Sequence, residues 1–404
     1  MLSALSRQLR DRQAISHLTV LLAFFLPLST SALNIIGLLL LLLWLAEGDF
    51  ANKYRQLLAN PVALVIIAYL LLYPLALLWT ENLDNGLELL QKQWKYLLLP
   101  VLFTSVRRER MRQYLGAFLA AMTLSAIASG LLWLGLYQGR HGSPADPTPF
   151  LDRIDYTPFL ALSAYLLAEA AAHRLRGRRR LLASGLALLM AFATFLTQGR
   201  SGQIVFLVLL VVWVFQFFPG RFLRAGLVSS LSLLLVLPGA YQFSSNFRAR
   251  IDQTVVDFHD FERKPETSLG QRLIFLRNSW EVFTSHPWLG SAPGDFTDDY
   301  GQVNQRRSPA FPSTTNPHNQ YLLVLTNFGL AGLVIFAQIF WRMARFKPRE
   351  PDGLSRLRVG FLVFYLTAMA CGSYLTHVHA GFLFILGSAL LFRNQPTPAD
   401  PAEK

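Results

Sequence analysis

A single cysteine, Cys371, in 404 residues excludes an intrachain disulfide, so neither a stapled fold nor a redox compartment can be argued from thiols. Charge is also scarce: Asp, Glu, Lys and Arg make up 15% of the chain against 53% hydrophobic residues. The sequence has no glycine-rich nucleotide loop, no nucleophile elbow and no paired-cysteine metal motif, which argues against ATP use and hydrolase chemistry. There is no internal repeat, and the only low-complexity tract is the polar tail NQPTPADPAEK. What the chain does have is long runs without any charge, such as 115–137 and 202–218. These are long enough to cross about 30 Å of hydrocarbon as helix, the form that satisfies its own backbone there.

The expected fold is therefore an all-α polytopic integral membrane protein. About twelve spans are expected, at approximately 17–32, 33–46, 61–80, 89–106, 114–138, 156–172, 181–198, 202–219, 223–243, 319–341, 359–375 and 377–392. The arginines of the first 16 residues, followed by an apolar stretch, resemble a signal peptide, but the hydrophobicity continues into a second segment. Alternating the loops between two sides places roughly two thirds of the lysines and arginines with the N-terminus, including RRERMR (107–112), HRLRGRRR (173–180) and RMARFKPRE (342–350). That side reads as cytoplasm, with both termini in it. The net charge of +13 is then mostly a topology device, and no nucleic-acid partner is expected.

Three units follow: spans at 1–243, one large outer loop at 244–318, and spans with a short tail at 319–404. Loops of that length are usually functional. Within the loop, QRLIFLRNSWEVF (271–283) has helical spacing of its apolar residues, and the proline- and glycine-rich turn SHPWLGSAPGDF (285–296) follows. The acids Asp295, Asp298 and Asp299 read as a solvated run.

Three features on the outer side can carry chemistry. TQGRSG (197–202) is a hairpin so tight that Arg200 is fixed at the interface. It either snorkels to lipid headgroups or offers a guanidinium to a phosphate. Arg272 and Arg277 open the loop helix about 140° apart around its axis, so they do not share a face; either alone reads as a solvated arginine. In NPHNQY (316–321), Pro317 suits a first helical turn and Asn316 a cap. His318 is then expected in the first turn of a span, where the amide dipoles disfavour imidazolium and favour a bound anion. The simpler reading is a polar cap residue. THVH (376–379) offers His377 and His379 two apart, but without the carboxylate or thiolate cluster a metal site needs.

GRSG with Arg200, the pattern from Arg272 through Trp280 to HPWLGSAPGDF, and PHNQYL opening the next span together resemble the O-antigen ligase and polymerase superfamily of bacterial membrane glycosyltransferases. The resemblance extends to the layout of about twelve spans with one large periplasmic loop, and implies a GT-C-like fold. It further implies transfer of a glycan from undecaprenyl diphosphate without nucleotide, metal or other cofactor. Carried over, Arg200 and Arg272 match the arginines that grip the diphosphate, and His318 matches the histidine that serves as base for the acceptor hydroxyl. Asn319, Tyr321, Lys95 and Arg277 are weaker pocket candidates, chosen for their place at the outer face. The implied partners are the lipid-linked polysaccharide donor, a lipid A core acceptor and membrane lipids, in the inner membrane of a Gram-negative bacterium with the site facing the periplasm. The compact length favours a ligase over a polymerase. A protein O-oligosaccharyltransferase, generally longer at its C-terminus, ranks lower. A flippase ranks last, because the mid-span segments are nearly free of ionisable groups.

Overall fold

The computed structural model describes residues 2–138, 141–259 and 268–393; the polar tail lies outside the described residues. In order, the α-helices are α1 (Leu2–Phe25), α2 (Thr30–Glu47), α3 (Phe50–Leu58), α4 (Pro61–Ala76), α5 (Leu83–Lys92), α6 (Leu98–Ser105), α7 (Met111–Trp133), α8 (Arg153–His173) and α9 (Gly177–Leu196). There follow α10 (Arg200–Phe217), α11 (Phe222–Phe243), α12 (Ser245–His259), α13 (Ser268–Ser285), α14 (Phe296–Arg307), α15 (Gln320–Ala344), α16 (Ser355–Cys371) and α17 (Val378–Leu391). No strand occurs among the described residues, only an isolated bridge between Ser143 and Asp146.

Six helical segments among the described residues are long and apolar enough to cross a membrane: α2, α7 with the turn before it, α9, α10, α11 and α15. The pair α3 and α4, bent by 97°, makes a seventh if counted as one span. This is a membrane protein, with fewer qualifying helices than the apolar runs suggested. The differences have local causes. The expected span at 89–106 is interrupted by a 3-10 turn, Trp94–Leu97, and continues only as the eight-residue α6. The expected last span, 377–392, folds as a helix of only 14 residues, α17. At α4 the local chemistry is plain: Asn60 caps the amides of Val62 and Ala63 at 3.0 and 3.1 Å, and Pro61 takes the first position, where it loses no hydrogen bond.

The segment expected as the large loop folds into α12, α13 and α14. Helix α13 covers the predicted amphipathic stretch and packs against α14 through Phe275, Val282, Phe296, Tyr300 and Val303. The turn after α13 is fastened to α15, whose backbone breaks at Gly329 (φ 61°, ψ −159°). A break in an apolar helix strands backbone donors that hydrocarbon cannot satisfy. Here the turn satisfies them: Leu330 N–H donates to the Pro287 carbonyl at 2.9 Å and Ala331 N–H to that of Trp288 at 3.1 Å. In return Ser291 N–H donates to the Thr326 carbonyl at 2.8 Å. The approach is possible because Gly290 and Gly329 lack side chains; a Cβ on either would lie 2.4 Å from facing backbone.

A second clamp corrects the expectation of a solvated acidic run. Asp295 is buried, and its carboxylate accepts from Thr80 Oγ1 at 2.8 Å and from the amides of Glu81 and Asn82 at 3.0 and 2.7 Å. Asp298 accepts from Asn82 Nδ2 at 2.9 Å. The turn is thus held on one side by α15 and on the other by the segment leading into α5.

Candidate functional site

The GRSG hairpin owes its shape to α8. A Cβ on Gly199 would lie 2.1 Å from Thr157 Oγ1, and one on Gly202 would lie 2.3 Å from the Thr157 carbonyl carbon. Only glycine lets the start of α10 press so closely on α8, and that contact brings Arg200, half-buried at the first position of α10, beside Arg153 at the start of α8. Arg250 from α12 and Arg272 from α13 complete the lining of the same cleft, together with Gln198 and Ser201. Arg153 donates to Asp146 at 3.3 Å, and Arg250 donates to Gln198 Oε1. Four like charges around one cleft repel one another, and a bound anion relieves the repulsion. Planar guanidinium forks are suited to phosphate oxygens.

His318 sits beside this cleft but not where the sequence suggested. The cap of α15 is Asn319, whose Oδ1 accepts from Leu322 N–H at 3.0 Å, and the helix begins at Gln320. His318 precedes the cap in a left-handed conformation (φ 54°) that is uncommon outside glycine and costs on the order of 1 kcal/mol. It is held there by its own N–H, which donates to Asn316 Oδ1 at 2.8 Å. The imidazole lies tilted by 30° against the Phe275 ring of α13, with centroids 5.6 Å apart. Its pKa lies below the ordinary histidine value, first because of burial and then because of the positive charges of Arg272 and His377. Both causes favour the neutral ring, the form that can accept a proton.

The segment before α17 is stitched to the same region. Ser373 Oγ donates to Asn316 Oδ1 at 2.5 Å, Leu375 N–H donates to Gln320 Oε1 at 3.0 Å, and Asn319 Nδ2 donates to the Ala370 carbonyl at 3.1 Å. His377 Nδ1 lies 2.8 Å from Oδ1 of the buried Asp155 on α8. Burial alone would lower the His377 pKa, but the hydrogen bond to Asp155 and the charges of Asp155 and Asp152 outweigh it and raise the value. THVH is not a paired ligand set: His379 turns away to the Leu26 carbonyl at 2.7 Å and Thr30 Oγ1 at 2.9 Å. The N-termini of α8, α10, α15 and α17 thus converge, and their helix dipoles add positive potential.

The weaker candidates fall apart into separate roles. Asn319 is spent on capping, and Tyr321 points its hydroxyl into the bundle, donating to the Leu366 carbonyl at 2.7 Å. Arg277 is exposed and outside the cleft lining. Lys95 is buried, its Nζ donating to the carbonyls of Lys92 and Thr376 at 3.3 and 3.2 Å and to Gln93 Oε1 at 3.2 Å. It supports the backbone next to His377 rather than facing the cleft. Sequence reasoning did not anticipate Arg153 and Arg250 in the cleft or Asp155 against His377, and considered His377 only as a metal ligand. The signal was present in DRID (152–155), a run of charges immediately before an apolar span.

Residues 185–337 match the family model described as O-Antigen ligase. The match runs from α9 into α15 and includes GRSG, the α13 turn and PHNQYL; Arg153, Asp155 and His377 lie outside it. It is consistent with the O-antigen ligase-like superfamily. Among curated proteins, no relative matches the chain.

Proposed function

We propose that the protein is an O-antigen ligase that moves O-polysaccharide from undecaprenyl diphosphate to a sugar hydroxyl of the lipid A core. The observation that carries this reading is the convergence of Arg153, Arg200, Arg250 and Arg272 on one cleft beside His318, whose pKa is lowered. The arginines hold the diphosphate and stabilise the charge that develops as it leaves. His318 takes the proton of the acceptor hydroxyl as its oxygen attacks the anomeric carbon. Attack from the face opposite the leaving diphosphate inverts the configuration, and the step draws on no metal or nucleotide. In this reading the bundle has about twelve spans in a GT-C-like arrangement, broken and short helices included. It lies in the inner membrane with both termini in the cytoplasm and the cleft in the periplasm, as the distribution of lysine and arginine favours.

The test is a deletion strain complemented with wild type, His318→Ala or Arg200→Ala, with lipopolysaccharide resolved on gels. Loss of O-polysaccharide from lipid A while full-length chains accumulate on the lipid carrier supports the ligase. A core carrying a single repeat would make the protein a polymerase. Normal ladders from both variants would remove the site.

A further inference from the structure

We propose that His377, gripped by Asp155, is a second working histidine: its Nε2–H donates a hydrogen bond to the diphosphate oxygen that gains charge, while His318 takes the acceptor proton. The inference rests on the reading of the cleft as a transferase site. Its basis is geometric. Asp155 engages Nδ1 at 2.8 Å, which directs Nε2 away from α8, and the His377 side chain keeps 25% of its surface exposed. Hydrogen bonds from Ser373 and Leu375 tie the strand of chain carrying His377 to the Asn316–Gln320 segment that carries His318.

The groups that face His377 are Asp152 and Asp155 from α8, Lys95 from the turn before α6, Tyr374 from its own turn, and His318. The acids prevail at His377, whereas burial and cations prevail at His318, so the two pKa values are pushed apart in opposite directions. Such separation assigns a proton acceptor and a charged donor within one site. In the transfer step the acceptor oxygen forms its bond to the anomeric carbon, and the bond from that carbon to the diphosphate oxygen breaks. The electron pair leaves with the diphosphate, the acceptor proton goes to His318, and His377 keeps its own.

The experiment measures initial rates against pH for the full-length purified protein, with undecaprenyl diphosphate-linked O-polysaccharide as donor and O-antigen-free lipopolysaccharide as acceptor. Wild type is expected to give a bell, its basic limb set by loss of the His377 proton. His377→Gln, a neutral donor, is expected to lose that limb and about tenfold to hundredfold in kcat. Asp155→Asn, which removes the anion raising the His377 value, is expected to shift the basic limb to lower pH. A purely structural role would lower activity without moving the limb. An unchanged bell in both variants, with His318→Ala inactive, would overturn this inference alone. No transfer by wild type would overturn it together with the ligase reading.

Discussion

Leu330 donates its backbone N–H to the carbonyl of Pro287 at 2.9 Å, so a turn that follows α13 completes a helix that begins 33 residues later. The bond fixes α13, and with it Arg272, against the start of α15, where His318 stands. Gly329→Ala and Gly290→Ala each force a side chain onto a positive φ and against backbone 2.4 Å away. Each is expected to cost at least about 1–3 kcal/mol. Thermal unfolding in detergent checks this, and an unchanged midpoint for both would show that the turn is not holding α15.

Removing the buried carboxylate at Asp295→Ala strands the Thr80 hydroxyl and two backbone amides. The expected loss is on the order of 3 kcal/mol, because hydrogen bonds to a charged acceptor are the stronger ones. Asp295→Asn keeps one acceptor oxygen and is expected to lose less. Equal unfolding midpoints for the alanine and asparagine variants would contradict the role given to the carboxylate.

Among the arginines, Arg200→Ala and Arg272→Ala are expected to reduce transfer roughly a hundredfold or more, as for loss of a charge-stabilising donor. Lysine at either position is expected to restore little, since an ammonium lacks the planar fork. Arg153→Ala and Arg250→Ala are expected to raise the donor KM more than they lower kcat. Steady-state kinetics with the lipid-linked donor distinguishes these outcomes; full activity of all four alanine variants would dissolve the cleft as a site.

With His318 as the proposed base, the acid limb of the rate profile is expected to follow its titration. Its pKa is lowered, so the neutral, proton-accepting form persists below the ordinary value of about 6.5 and is lost only as pH falls further. Arg272→Gln removes one of the lowering causes and is expected to move the acid limb to higher pH, besides slowing the reaction. A limb that stays in place when Arg272 is neutralised would separate the two residues.

Much of this arrangement was legible in the residues. The uncharged runs announced membrane helices, and the GRSG hairpin and the PHNQYL start drew attention to Arg200, which lines the cleft, and His318, which lies beside it. What stayed hidden depends on contacts between segments far apart in sequence. Nothing local tells Asp155 that it meets His377 across 222 positions, nor that Arg153 and Arg250 close the cleft. Asp295 looked like one of several surface acids because its partners lie 213 to 215 residues earlier. The cap of α15 differs for the opposite reason: Asn316, Pro317 and Asn319 all satisfy local rules for a helix start, but Asn316 Oδ1 is engaged by the His318 amide and by Ser373 from another helix connection, and Asn319 takes the cap.

The convergence of four helix N-termini has a further consequence for turnover. A diphosphate joined to a glycan carries less negative charge than the one left behind after transfer. In the proposed reaction, backbone dipoles and arginines that favour the more charged state are expected to hold the spent carrier more tightly than the loaded one. Release of free undecaprenyl diphosphate, and not sugar transfer, is then expected to set the pace, and the added spent carrier should inhibit competitively with the donor.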